Sequence, residues 1–223
     1  MKTIHKPYGP YEKFIKRPLD FLFASCFLLL FWWLYLLLAI LVRIKLGAPV
    51  LFTQERPGRK NPKTGLEEII HIYKFRSMAN AKDKDGKLLE DSARLSTFGA
   101  ALRKTSLDEL PEMFNILKGD MSLIGPRPLL VRYLPRYTEE QRGRHDVRPG
   151  LTGNAQAHGR NAVSWEEKFD MDVAYVNHIT FLGDLKILLD TVKTVLKRDG
   201  ISSGTSVTME EFMGTLGKNK SKD

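Results

Sequence analysis

Two adjacent carboxylates, Asp108-Glu109, sit in the run Ser106-Leu-Asp-Glu-Leu-Pro111, and 19 positions after the aspartate comes Arg127, set between two prolines in Gly125-Pro-Arg-Pro128. A helix beginning at Ser106 would offer free N–H groups and the positive end of its dipole, which favour phosphate. A carboxylate there can hold Mg²⁺, which takes one or two carboxylates plus substrate phosphates. It can also attack phosphorus as a nucleophile. A capping box explains the same residues with no function at all, Ser106 as N-cap and Glu109 bonding back to it. Neighbouring positions on a helix point about 100° apart, so the two acids need not share a task.

Basic residues surround these acids in the sequence. The prolines either side of Arg127 fix its backbone, and a guanidinium held in this way can grip phosphate bidentately; a stiff turn with a solvated arginine is the alternative. Lys74 and Arg76 follow a strand-like stretch and, at period two, share a face. That face could bind phosphate or lipid headgroups, or simply protect a sheet edge. Arg148 precedes Pro149-Gly150, and Arg160 follows Gly159, in loops whose glycines would let backbone approach a ligand such as a nucleotide; ordinary loops are the favoured alternative. His145-Asp146 is a weak catalytic pair, since neighbours in sequence seldom face each other. Asp170 and Asp172 read as the solvated side of a helix.

The elements that must position these groups begin with Phe21 to Val42, 22 residues without charge, proline or glycine. That length can cross a bilayer, and it is too long for the core of a signal peptide. Lysines and arginines flank it on both sides (Lys13, Lys16, Arg17; Arg43, Lys45), which places both ends in the cytosol and favours an anchor that enters and turns back. Asp20 is expected to pair with Lys16 or Arg17. After the anchor, Val50–Glu55 and Ile69–Phe75 read as strands of a hairpin, with Pro57-Gly58 and 59–65 as its loop. Ala81–Asp91 is a charged loop. Helices are expected over Thr97–Lys104, over Leu107–Lys118 capped by Ser106 and ended by Gly119, over Arg132–Arg144, over Trp165–His178 capped by Ser164, and over the periodic stretch Phe181–Arg198, which suits either core packing or an in-plane membrane helix. The fold class is a helix-dominated α+β. It divides into a membrane anchor (1–46), a cytosolic domain (47–200) and a polar, loosely ordered tail (201–223).

A net charge of +9 and a pI near 9.6 point to anionic partners, whether nucleic acid, acidic lipid or phosphorylated substrates. The single cysteine, Cys26, lies in the apolar run, so no disulfide framework exists and a reducing compartment fits. Neither a Cys/His zinc pattern nor a Gly-rich Walker loop is present.

The ordered series Lys16-Arg-Pro-Leu-Asp20, Phe52-Thr-Gln-Glu-Arg-Pro-Gly58, Tyr73-Lys-Phe-Arg-Ser-Met78, Ser106-Leu-Asp-Glu-Leu-Pro111, Leu117-Lys-Gly-Asp-Met-Ser122, Gly125-Pro-Arg-Pro128, Val147-Arg-Pro-Gly-Leu-Thr-Gly153 and Gly159-Arg160-Asn161 resembles the bacterial sugar transferase family, the monotopic polyprenol-phosphate phosphoglycosyl transferases. The resemblance implies an enzyme of the cytoplasmic membrane, its catalytic domain facing the cytosol. It implies transfer of a sugar 1-phosphate from a UDP-sugar to polyprenyl (undecaprenyl) phosphate, with release of UMP. Asp108 would be the nucleophile that forms a covalent phosphosugar, Glu109 its partner as base or through the metal, and Mg²⁺ the cofactor at Asp108 and Glu109. Lys74, Arg127 and Arg160 match basic positions that serve phosphate or nucleotide binding. The partners implied are UDP-sugar, polyprenyl phosphate and membrane lipid, with no nucleic acid. The ending Lys197-Arg-Asp-Gly200 … Glu211-Phe212 is most similar to small members that transfer N,N′-diacetylbacillosamine 1-phosphate in bacterial protein glycosylation. Two features depart from the family pattern: Trp32-Trp33 stand where a helix-breaking Ser-Pro is usual, and the 59–68 loop is longer. The residues alone also admit a Mg²⁺-dependent phosphodiesterase, or a basic membrane-tethered module for lipid or nucleic acid.

Overall fold

The computed structural model describes residues 5–158, 163–197 and 211–215. The architecture is helix-dominated α+β. After a π-helical turn at Tyr11–Ile15, helix α1 (Lys16–Leu46) runs unbroken through Trp32-Trp33. Its proline, Pro18, lies in the first turn, where no intrahelical N–H is lost. With neither proline nor glycine in 21–42, nothing interrupts the backbone ladder, so the turn-back expected inside the apolar run does not occur. Only 11% of the most apolar 18-residue window is buried, which separates α1 from the core helix of a soluble protein. Leu29 and Trp32 are 77% and 63% exposed.

The other face of α1 is bonded to the domain along its length. Arg17 donates to the carbonyls of Ile116 (2.6 Å) and Leu117 (2.9 Å). Asp20 accepts from Ser122 Oγ (2.6 Å) and Leu123 N (3.0 Å). Tyr35 donates to Leu110 O (2.7 Å), and Arg76 to Leu46 O. At 1.5 Å per residue α1 is about 46 Å long, so a domain touching residues 17 and 46 must lie beside it. Asp20 therefore pairs with neither Lys16 nor Arg17: Ser122 and Leu123 supply donors at its level, while Lys16 reaches Asp184 (2.6 Å).

Strands β1 (Leu51–Lys60) and β2 (Glu67–Phe75) form an antiparallel hairpin. Both are longer than expected, because Pro57-Gly58 lies within β1 at a register irregularity rather than in the loop. A short helix, α2 (Asp91–Arg94), precedes α3 (Thr97–Lys104), which Ser96 caps by accepting from Gly99 N (3.1 Å). A 3-10 turn (Leu107–Glu109) leads into α4 (Glu112–Lys118), closed by Gly119 in the left-handed conformation (φ 93°). Strands β3 (Ser122–Ile124) and β4 (Gly150–Thr152) pair in parallel. A Cβ on Gly150 would come 2.1 Å from Gly125 N, so glycine there lets the Gly-Pro-Arg-Pro segment lie flat against the Arg148 loop. The stretch 132–144 forms two 3-10 turns (Val131–Arg136, which contains Pro135, and Gln141–His145) in place of one helix, with the extended Tyr137 ending the first. Then come α5 (Asn154–His158), α6 (Trp165–Asn177) with the Ser164–Glu167 capping box, and α7 (Phe181–Lys197).

Four apolar clusters hold these elements together, and one was hidden in the sequence. Phe212, 1% exposed, inserts among Tyr133, Tyr137, Trp165 and Phe169. Arg132 and Arg136 pair with Glu211 beside it (3.1 and 2.8 Å). This part of the supposedly loose tail is packed into the domain.

Candidate active site

Asp108 and Glu109 occupy the 3-10 turn between α3 and α4. Ser106 has φ 55° and makes no side-chain cap, so the capping box is absent. Pro111 has no N–H to give to Leu107 O, which stops one helix from running through and leaves a turn followed by α4. Freed from capping, Glu109 takes two cations on one oxygen: Lys74 Nζ at 2.8 Å and Arg127 Nη2 at 2.6 Å from Oε1. Lys74 also lies 3.1 Å from Glu112 Oε1. Its strand is pinned to α4 by the fully buried Asn115, which accepts from Tyr73 N (3.0 Å) and donates to His71 O (2.8 Å).

The two acids of the dyad differ in charge state. Burial works against ionisation of Glu109, but Arg127 and then Lys74 outweigh it and hold the carboxyl well below the usual range. Asp108, 8% exposed, makes no ion pair among the described residues. Burial, then repulsion from Glu109, push its pKa up, with Lys74 and Arg103 offsetting part of the rise. Burial likewise pushes Glu112 up, opposed by Lys74.

Three participants were missed in the sequence. Arg103, steered by Ser77 Oγ (2.9 Å), acts on Asp108. Arg56 bonds Gln54 Oε1 (2.6 Å); burial, and then Arg127 nearby, lower its pKa to about 10. Glu112 is 3% exposed. The spacing of Arg103 and Glu112, five before and four after Asp108, was the available signal. Together Arg56, Lys74, Arg103 and Arg127 set four positive charges against three carboxylates.

Other expected site residues lie elsewhere. Arg76 does not share a face with Lys74 at the site. It lies one residue past the end of β2, buried, donating to Ala48 O (2.9 Å) and Leu46 O, and so fastens the end of α1. Arg148 faces a second cleft, at the far end of α4. Arg160 lies outside the described residues. His145 and Asp146 point apart: the histidine is buried, and Asp146 takes Lys60 Nζ at 2.6 Å. Asp172 is no solvated acid. Only 3% exposed, its Oδ2 accepts from Arg144 Nε (3.0 Å) and Nη2 (2.7 Å). The same Nη2 donates to Arg127 O (2.7 Å), which fixes the backbone of the site arginine.

Among the described residues no three His, Cys, Asp or Glu side chains form a metal cage. The unpaired Asp108 beside Glu109 suits a hard cation that takes one or two carboxylates and completes its shell with phosphate and water, as Mg²⁺ does. Next to the charged site, Tyr35, Leu36, Ala39, Phe75, Pro111 and Phe114 line an apolar groove of about 380 Å³ that is continuous with the outer face of α1.

The profile of the bacterial sugar transferase family matches residues 11–198. This chain belongs to the bacterial sugar transferase family. It is 50% identical over 202 residues to the uncharacterized sugar transferase EpsL of Bacillus subtilis (strain 168), covering 90% of this chain and 96% of that protein. It is 40% identical to the undecaprenyl-phosphate galactose phosphotransferase of Salmonella typhimurium (strain LT2), covering 69% of this chain and 35% of that protein. The UDP-N-acetylgalactosamine-undecaprenyl-phosphate N-acetylgalactosaminephosphotransferase of Aeromonas hydrophila is 37% identical, with 84% of this chain and 45% of that protein covered. The chain thus spans nearly all of EpsL and less than half of the other two. As a member of this family it is a transferase.

Proposed function

We propose that this transferase moves a sugar 1-phosphate from a UDP-sugar to polyprenyl phosphate through a phosphosugar bound covalently to Asp108. The observation that carries the reading is the division between the two acids: Asp108 is buried and unpaired while Glu109 is neutralised by Lys74 and Arg127. An Asp108 oxygen attacks the β-phosphorus; the bond from that phosphorus to the bridging oxygen breaks, and UMP leaves with the electron pair. A phosphate oxygen of the polyprenyl phosphate then attacks the same phosphorus, and the bond to Asp108 breaks, restoring the carboxylate. Both nucleophiles are anions, so the four cations serve to offset the charge that gathers on phosphorus. Desolvation leaves Asp108 with less water to shed before it attacks. Glu109 is too strongly ionised to act as a base near neutral pH; it holds Lys74 and Arg127 at the substrate. Mg²⁺, held by Asp108 and Glu109, would supply further neutralisation of the diphosphate.

The apolar groove beside the site favours a lipid-linked acceptor over a soluble one, and the exposed face of α1 places the protein at a membrane. Since one domain bonds α1 near both ends, we read α1 as lying along the membrane surface, with the domain on the cytosolic side. The names of relatives favour galactose or N-acetylgalactosamine donors, and the resemblance of the ending favours N,N′-diacetylbacillosamine. The test is to incubate the detergent-solubilised full chain with Mg²⁺ and UDP-sugars labelled at the β-phosphate, with Asp108→Asn as control. Label should appear on Asp108 and be chased off by polyprenyl phosphate. Turnover without label would sink the covalent step, and absence of turnover with every donor would sink the reading.

A further inference from the structure

At the far end of α4 from Asp108, Arg17, Arg59 and Arg148 converge on a polar cleft of about 360 Å³. The cleft shares none of its lining with the charged site, and α4 alone sets the two about 10 Å apart. Each arginine is held from behind by backbone. Arg17 donates to Ile116 O and Leu117 O, Arg148 Nε to Gly119 O (2.8 Å), and Arg59 Nε to Asp146 O (3.2 Å). Gly119 joins two of them, since a Cβ there would lie 3.2 Å from Arg17 Nη2.

The nearby acids are already engaged. Glu12 takes His5 (2.6 Å) and Tyr8 N (2.7 Å), Asp20 takes Ser122 and Leu123, and Asp146 takes Lys60. Among the described residues, consequently, none of the three arginines makes an ion pair, and the terminal nitrogens of Arg59 and Arg148 have no hydrogen-bond partner. Burial, then Arg59 and Arg17, depress the pKa of Arg148, and Asp20 offsets only part of this. Three guanidiniums lining one cleft and oriented through backbone carbonyls, two of them with unbonded terminal nitrogens, suit a tetrahedral oxyanion. Lys13, Lys16 and Arg17 carry the cleft to the start of α1, and in the π-helical turn just before it Phe14 and Ile15 are 64% and 48% exposed, apolar side chains suited to a lipid surface.

The geometry points to a second, non-catalytic phosphate-binding site formed by Arg17, Arg59 and Arg148, which takes the phosphate of an anionic lipid at the membrane surface. Each arginine removed takes away a charge-assisted hydrogen bond and should weaken binding about tenfold or more.

The test uses the full chain in non-ionic detergent, titrated with short-chain phosphatidylglycerol, short-chain phosphatidylcholine, inorganic phosphate and UMP. Bound molecules are counted by native mass spectrometry for wild type and for Arg59→Gln/Arg148→Gln, with melting temperature as the check on folding. Phosphatidylglycerol should bind, inorganic phosphate should compete with it, phosphatidylcholine should be weak, and the double variant should lose the binding. Phosphate and UMP binding as tightly as the lipid, and lost in the variant, would support the phosphate site with a soluble anion as its source. Equal binding of phosphatidylglycerol by wild type and variant, or none by wild type, overturns the proposal. If the double variant does not fold, Arg59→Gln alone decides, because its bond to Asp146 O is long and its loss leaves the fold intact. The loss of phosphatidylglycerol in the variant does not depend on Asp108.

Discussion

Arg144 should control catalysis without touching substrate. Its guanidinium and the Asp172 carboxylate are 2% and 4% exposed, and the one Nη2 that binds Asp172 also holds Arg127 O at 2.7 Å. Removing one partner of a buried pair strands the other charge, so Asp172→Asn or Arg144→Met should each cost about 3–5 kcal/mol in denaturant unfolding. The double variant Arg144→Met/Asp172→Leu removes both charges and keeps the volume apolar, beneath Tyr137 and Phe169, which flank the guanidinium at 5.9 and 5.6 Å. It should regain most of that stability. What it cannot restore is the bond to Arg127 O. If that bond places the guanidinium that grips Glu109 and the substrate, a displacement near 1 Å costs up to about 100-fold in turnover. The double variant should therefore unfold like wild type yet lose most of its kcat with KM little changed. Assays are urea denaturation in detergent and steady-state UMP release. Wild-type kcat in a stable double variant would refute the positioning role; single variants that cost under 1 kcal/mol would refute the buried pair.

Phe212→Ala should destabilise by about 3–5 kcal/mol, read by urea unfolding, because it empties the centre of an aromatic cluster. Activity should fall at a higher pH than for an ordinary carboxylate nucleophile, because the raised pKa of Asp108 means it is protonated sooner on acidification; a pH–rate profile in UMP release checks this. Glu109 has a depressed folded pKa, so its contribution to stability is complete above its unfolded value of about 4.3 and is lost as pH falls through the folded value; acid unfolding of Glu109→Gln should be less steep there than that of wild type. If α1 lies in the interface, shallow lipid-borne quenchers should dim Trp32 and Trp33 more than deep ones, and His5→Cys in a Cys26→Ser background should resist an impermeant thiol reagent added outside cells.

Strong local signals were legible in the sequence. Gly119 ended α4 in the left-handed conformation, Ser164 capped α6, and α3 kept its expected bounds. Charge partners were not, because a partner is chosen by the fold. Asp20 had Lys16 and Arg17 within a turn, yet a strand a hundred residues away offered a hydroxyl and an N–H in fixed positions. Arg76 and Lys74 obeyed the period-two rule only while the strand lasted, and β2 ends at Phe75. Asp172 read as solvated because helix periodicity does not report a buried arginine arriving from another loop. Phe212 was invisible because one aromatic residue in polar surroundings has no period.

The dyad shows the same limit at closer range. Spacing alone could not separate Asp108 from Glu109, or either from a cap. Pro111 breaks the helix just after them, and the resulting turn aims the two side chains at different surroundings. Glu109 meets Lys74 and Arg127, so its charge is neutralised and its proton affinity falls. Asp108 meets protein and a neighbouring anion, and Lys74 and Arg103 offset only part of the cost of its charge. Such a charge is retained against about 0.5–2 kcal/mol that its removal would return to stability. Asp108→Asn should therefore raise the melting temperature while it abolishes transfer, and an unchanged or lower melting temperature would mean that this carboxylate is not under the strain its surroundings impose.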